Sequence, residues 1–250
     1  MHSEYKARTA LERPNAIMLS MQEAYWQKLS NIANNLSNAT NYGFKARNLK
    51  LAHVVQHNSL GNKVNYVAPS DLVRNVNNGS FHQTSNPLDL CLNGSGYFMV
   101  ETDKGKFLIR NGQFAKDVEG NIVTASNNFK VLDQGGSPIT IPKDSKSISI
   151  SSNGSIMVDG NSVGKVGVFK VKNEQTLKNI GDNLLQSPDE LENADQYQII
   201  QGGLEESNVS PMEESIRLIE VMRLYENAQK VIEKYERARQ NTMNVSIRGA

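Results

Sequence analysis

Met18, Met21, Tyr25, Leu29, Ile32 and Leu36 recur at spacings of 3, 4, 4, 3 and 4. That is close to the 3.6-residue period and predicts an amphipathic helix over residues 15–38. Pro14 suits its first turn, and Gly43 is placed to stop it. The 3-4-4 pattern repeats every eleven residues, which predicts a nearly straight or slightly right-handed packing partner.

The end of the chain carries a stronger pattern. Ser210 as cap, Pro211 at the first helical position and Glu213 three residues after the serine form a capping box. From there Leu218, Val221, Tyr225, Ala228, Ile232 and Tyr235 follow at 3, 4, 3, 4 and 3, a coiled-coil seam broadened by Ile219, Met222, Leu224 and Val231. Glu213 with Arg217, Glu226 with Lys230 and Glu233 with Arg237 are i,i+4 pairs in the favoured order, each worth roughly 0.2–0.5 kcal/mol. A helix of about 33 residues is about 50 Å long and cannot hide such a seam on itself.

Between the two helices the period changes. Residues 85–171 are cut by "NGSG", "DKGK", "RNGQ", "VEGN", "QGGS", "SNGS" and "VDGN", with short alternating runs such as "YFMVET", "KFLIR" and "SISIS" between them. Turn signals about ten residues apart predict an all-β domain of hairpins. The flanks, residues 45–84 and 172–206, are polar with weak periodicity and read as extended connectors, with strands packed along the helices as one option. No repeat of solenoid length is visible.

Composition narrows the class. Only 38% of the 250 residues are hydrophobic, with one Trp and a mean hydropathy of −0.49, which fits an elongated or assembled molecule better than one compact globule. A net charge of +1 gives no electrostatic footprint for nucleic acid and no polybasic membrane patch. One cysteine excludes an intrachain disulfide framework. The N-terminus lacks the apolar stretch of a secretory signal, and no 18-residue apolar run occurs, so ordinary rules predict a soluble cytoplasmic protein without membrane insertion.

No constellation for catalysis or cofactor binding emerges. Gly94-Ser95-Gly96 lacks the third glycine of a dinucleotide fingerprint and reads as a turn. Cys91 with His82 is the only thiol dyad available, and in "PLDLCLNG" Cys91 alternates with Leu88, Leu90 and Leu92, so a small packed side chain is the plainer account. His53 and His57 sit four apart, the spacing by which a helix offers two imidazoles to a metal, but no third ligand is close in sequence. The expectation is no catalytic, cofactor or metal site. The Asn-x-Ser/Thr triplets at Asn35, Asn38 and Asn153 are better explained by turn and cap chemistry than by glycosylation.

The first helix has one odd feature. Between Lys28 and Lys45 there is no charge, yet Asn31, Asn34, Asn35, Asn38 and Asn41 fall there, although asparagine is a poor helix former. Gln27, Asn31, Asn34 and Asn38 make a stripe opposite Tyr25, Leu29, Ile32 and Leu36. Carboxamides carry donor and acceptor without charge, so this face can be desolvated without burying an ion. We therefore expect Asn31, Asn34, Asn35 and Asn38 to meet a neighbouring subunit, against the plainer account of a solvated polar face.

Three stretches resemble the bacterial flagellar basal-body rod and hook family: "NIANNLSNATNYGFKA", then "PLDLCLNGSGYFMV" with "FLIRNGQFAKDVEGNIVTASN", then "GGLEESNVSPMEESIRLIEVMRLYENAQKVIE". The motifs lie in the family's order and span nearly the whole chain. Gly43, Phe44 and Lys45 match the N-terminal signature, and Leu204, Glu205, Ser207, Asn208 and Val209 the C-terminal one. "NAIMLSMQEA", "SISISSNGSI" and "TLKNIGDNLL" look most like proximal rod members, with distal rod members second. Ser37, Tyr42 and Cys91 depart from residues common in the family.

The resemblance implies an α+β fold, its N- and C-terminal helices pairing as a coiled coil around a central all-β domain of short hairpins. On that basis the chain divides into a helix at 1–44, a connector at 45–84, a β-rich outer domain at 85–171, a second connector at 172–206 and a helix at 207–250. It implies a structural, non-enzymatic axial subunit of the proximal rod. Such a subunit leaves the cytoplasm through the flagellar type III export apparatus without a cleaved signal and polymerises in the periplasm with itself and other rod proteins. The distal rod or a hook-type axial protein is the nearest alternative; an exported thiol hydrolase and a surface adhesin are further ones.

Overall fold

The computed structural model describes the backbone of residues 2–57 and 63–248. The described residues form two compact units. One holds the terminal helices and the stretch 47–73; the other holds residues 38–46 and 74–209.

In the helical unit, α1 spans His2–Ser37 and α2 spans Pro211–Arg248. The first helix thus starts well before residue 15, and Pro14 lies in its interior rather than its first turn. A proline removes one ladder hydrogen bond, and here the helix continues on both sides of it. At the other end Pro211 does open α2, and the Ser210 hydroxyl accepts from the Glu213 amide at 3.4 Å. The Glu213 carboxylate pairs forward with Arg217 at 3.7 Å. Arg217 also binds Glu214 at 2.8 Å.

Strands β1 (Arg47–His57) and β2 (Lys63–Arg74) pair as a two-stranded sheet, and nearly all of both belongs to the helical unit. Most of the stretch expected as a connector is therefore a long hairpin. The Ser20 hydroxyl of α1 accepts from the Val67 amide at 3.4 Å. His53 and His57 fall on β1, not on a helix. Four residues of strand separate their Cα atoms by about 13 Å, too far to share one ion. The His57 side chain lies outside the described ones, as do Gly249 and Ala250 at the end of the chain.

The β unit holds sixteen strands among the described residues. They are β3 (Phe81–Gln83), β4 (Leu90–Gly94), β5 (Tyr97–Thr102), β6 (Gly105–Ile109), β7 (Phe114–Lys116), β8 (Ile122–Thr124), β9 (Lys130–Val131), β10 (Ile148–Ile150), β11 (Ser155–Val158), β12 (Asn161–Lys165), β13 (Val168–Lys170), β14 (Lys178–Gly181), β15 (Leu184–Gln186), β16 (Glu192–Asn193), β17 (Tyr197–Gln201) and β18 (Gly203–Glu205). The largest sheet runs β14-β15-β6-β5-β9-β8-β7, with β13 also paired to β5 and β16 paired to β13. β10-β11-β12 form a separate meander, β17 pairs β4, and β18 pairs β3.

The sheet is covered on both faces. From β5, Phe98 and Val100 enter a core with Leu90, Phe107, Ile122 and Ile156, whereas Tyr97 and Met99 enter a second one with Leu108, Leu132 and Phe169. The run "YFMV", expected to alternate, is instead buried at every position, the habit of a strand covered on both sides. Phe98 and Phe114 meet edge to face with ring centroids 5.2 Å apart.

The domain bounds shift accordingly. Residues 172–206, expected as a connector, supply β14 to β18 to these sheets. β14 and β16 are exposed at every residue, so no hydrophobic alternation marks them. The β unit runs from Arg74 to Val209 and takes in Asn38–Ala46, well beyond 85–171.

Candidate functional site

Exposure along α2 follows the seam. Val221 is buried at 4%, and Leu218, Tyr225, Ala228, Ile232 and Tyr235 are half-buried. On α1, Ile32 is buried and Met18, Met21, Tyr25, Leu29 and Leu36 are half-buried. The helices touch: Gln22 Nε2 donates to the Tyr225 hydroxyl at 3.2 Å, and the Trp26 and Tyr225 rings lie 6.4 Å apart. The residues expected to broaden the seam do not. Ile219, Met222, Leu224 and Val231 are exposed, as are Met212, Ile216, Leu19 and Trp26. A two-helix contact covers about two positions in each seven, and these residues fall beside them.

The asparagines divide. Asn35 is completely buried. Its Nδ2 donates to the Arg47 carbonyl at 2.9 Å, its Oδ1 accepts from the Arg47 amide at 3.0 Å, and Nδ2 also faces Glu214 Oε2 at 3.5 Å. The expectation of an intersubunit role for Asn35 is therefore corrected, since the chain's own hairpin uses the carboxamide. A carboxamide presents the same donor–acceptor pair as a peptide unit, so it docks the first residue of β1 as a neighbouring strand would. Asn34 is exposed, with its Oδ1 accepting from Arg47 Nη2 at 3.1 Å. Asn31 is half-buried on the helix. Asn38 lies past the helix end, in the turn segment of the β unit, where its Oδ1 accepts from Asn41 at 2.8 Å.

In the β unit the two family signatures meet. Gly43 N donates to the Glu205 carbonyl at 2.7 Å, and Asn208 N to the Phe44 carbonyl at 3.3 Å. The Asn208 side chain accepts from Ala46 N at 2.7 Å and donates to the carbonyls of Asn75 and Asn77 at 3.0 and 2.8 Å. Phe44, Ala46 and Val209 form a small apolar cluster with Ala39. Ser207 Oγ accepts from the Val209 amide at 3.3 Å. The segment that follows α1 and the segment that precedes α2 are thus bound side by side.

Beneath them lies an ionic centre. Glu205 is held on β18, whose register sets Leu204 opposite His82 and Glu205 opposite Phe81. Its carboxylate takes Lys45 Nζ on one oxygen and Arg110 Nε on the other, both at 2.5 Å, while Gly79 N donates to it at 2.9 Å. All three charged side chains are at most 5% exposed. The unit's surplus positive charge is spread onto carbonyls: Arg110 donates to those of Leu92, Gly94 and Gly96, and Lys45 to that of Asn77. Burial alone pushes the Glu205 carboxyl up, but the fields of Arg110 and Lys45 overcome it and hold it below the usual carboxylate range. Burial also lowers the Lys45 ammonium, which Glu205 only partly offsets.

Sequence reasoning missed Arg110, Glu214 and the Asn75–Gly79 loop. Arg110 carried a signal, as the one charge closing the apolar run "FLIR". Cys91 is buried on β4 beside the same centre, where burial and then the Glu205 charge push its thiol up. His82 sits on β3, stacks on Tyr42 and lies 3.7 Å from Glu206. Among the described residues no group of His, Cys, Asp and Glu is arranged to hold a metal.

Comparison with known proteins gives these signatures a context. Residues 91–158 match the flagellar hook protein FlgE/F/G D1 domain, and residues 200–245 the C-terminal domain of the flagellar basal body rod FlgEFG proteins. The flagellar basal-body rod protein FlgF of Caulobacter vibrioides is 32% identical over 224 residues, covering 86% of this chain and 90% of the relative. The chain belongs to the flagellar basal-body rod protein family. FlgF of Mesorhizobium japonicum is 29% identical over 84% of this chain and 88% of its own length, and the rod protein FlgG of Bacillus subtilis 26% identical over 91% and 96%. Rod-family members are structural proteins, and the non-enzymatic reading follows from that membership. Of the ionic centre, Arg110 and Glu205 fall inside the two matched stretches and Lys45 outside both.

Proposed function

We propose that this chain is an axial subunit of the proximal flagellar rod, with α1 and α2 paired as a coiled coil in the rod core and the β unit outside it. It is exported by the flagellar type III apparatus and polymerises in the periplasm with its own copies and other rod proteins. The observation that carries this reading is the apolar surface left on helices that already use one face on each other: Leu19, Trp26, Ile216, Ile219 and Met222 are between 45% and 56% exposed. Such an apolar face on the helical unit needs neighbours. No helix among the described residues is long and apolar enough to cross a membrane.

The test is deletion of the gene followed by electron microscopy of the basal bodies that remain. Truncated rods and loss of swimming are expected; intact rods with normal swimming overturn the reading. The similarity to FlgG favours one second reading, a distal rod subunit. Copy number separates them, since a proximal subunit is present in a handful of copies and a distal one builds a longer polymer.

A further inference from the structure

Two apolar features of the helical unit face different directions. The first is an open groove lined by Trp26, Leu29 and Ala33 of α1 and Leu218, Met222 and Tyr225 of α2, which continues past Trp26 to Leu19. The second is a ridge on α2 alone. Met212, Ile216 and Ile219 are 76%, 53% and 52% exposed and stand at i, i+4 and i+7, the spacing by which a helix lays anchors into a groove. At 100° per residue the ridge points about 100° away from the α2 side of the groove.

We propose that the ridge of one copy seats in the groove of the next. This rests on the axial-subunit reading and names the surfaces it uses. Length supports the match: Leu19 to Ala33 spans about 21 Å of helix and Met212 to Arg223 about 16 Å at 1.5 Å per residue. Charge supports it as well, because Arg223 extends the ridge by one further turn and Glu226 lines the groove. Since ridge and groove lie on different faces, each copy can be host and guest at once. Such a contact is heterologous and does not close on itself, so it builds an open array rather than a dimer. A groove meeting its own twofold mate would stop at two copies.

The test is disulfide trapping in isolated basal bodies from cells making the full chain with Cys91→Ala, Ala33→Cys and Ile216→Cys. Oxidation is expected to give a ladder of dimer, trimer and higher species on a non-reducing gel. Either single cysteine variant is expected to give none, and so is Ala33→Cys combined with Val231→Cys. Rods that assemble without a ladder overturn the ridge-in-groove contact while leaving the rod reading intact. Dimers alone also overturn it, because they indicate a closed contact. A gene deletion that leaves rods intact instead removes the underlying reading.

Discussion

The Asn35 side chain takes both backbone hydrogen bonds of Arg47, at 2.9 and 3.0 Å, while lying completely buried beside Glu214. One carboxamide thereby joins α1 to the start of β1 and to the first turn of α2. Asn35→Leu preserves much of the volume and removes both partners of Arg47. Each Arg47 backbone group left unpaired costs about 1–3 kcal/mol. Thermal melts followed by helical circular dichroism should show the loss. Asn35→Asp should do worse at neutral pH, with a second carboxylate facing Glu214 and the Arg47 carbonyl. The folded state then raises the new carboxyl's pKa, so its penalty should grow as pH rises and shrink in acid.

Glu205 bridges Lys45 and Arg110 with all three side chains out of water. Glu205→Gln leaves two buried cations facing a neutral group, and removing one partner of such a set costs about 3–5 kcal/mol. The native carboxyl sits below its usual value of 4.5. Its contribution is therefore full above that pH and lost as pH falls through the lower folded value. Urea denaturation between pH 3 and 7 should show an acid-labile β unit in the native protein. The variant should lose that part of the slope.

Gly43 has φ of +69°, and a Cβ added there would lie 2.6 Å from the Arg110 carbonyl carbon and the Asn111 nitrogen. Gly160 has a similar φ of +85° with nothing within 4 Å. Gly160→Ala thus carries only the left-handed backbone term, about 1–2 kcal/mol. Gly43→Ala adds the collision with backbone that cannot move aside. Its melting temperature should fall below that of Gly160→Ala, and equal values would show that the approach at Gly43 relaxes freely.

What was legible in the chain was whatever is local and periodic. The Leu218 to Tyr235 spacing reappears as the less exposed stripe of α2, and the Gly-rich punctuation reappears as hairpins. The asparagine face shows the boundary of such reasoning. Its donor–acceptor chemistry was readable, since a carboxamide offers both without charge. Its partner at Asn35 was not, because the hairpin that covers it begins in a stretch with weak periodicity. The ionic centre draws on residues 45, 110 and 205, and no local pattern links positions that far apart. Only the two family signatures pointed there.

Cys91 should behave as an inert side chain. It is buried, its thiol is pushed above the ordinary value by burial and by the Glu205 charge, and the thiolate is the reactive form. Alkylation by iodoacetamide at neutral pH should be slow in the native protein and rise to the rate of a free cysteine in urea. Rapid native labelling would mean that β4 opens readily against β17.

Val221 and Ile219 lie two residues apart on α2 and separate pairing from assembly. Val221 is 4% exposed and Ile219 is 52% exposed. An aspartate at 221 places an unpaired carboxylate in the contact between helices, which is expected to cost about 3 kcal/mol or more and to lower the helical signal of the purified chain. At 219 the same change leaves the carboxylate in water, with an effect within about 0.5 kcal/mol. Incorporation into basal bodies should nevertheless fail for both, at 221 because the helical unit is lost and at 219 because its exposed face no longer suits a neighbour. Near-ultraviolet dichroism should show the β unit folded in each. If Ile219→Asp assembles as well as the native chain, the exposed apolar face of α2 is not an assembly surface.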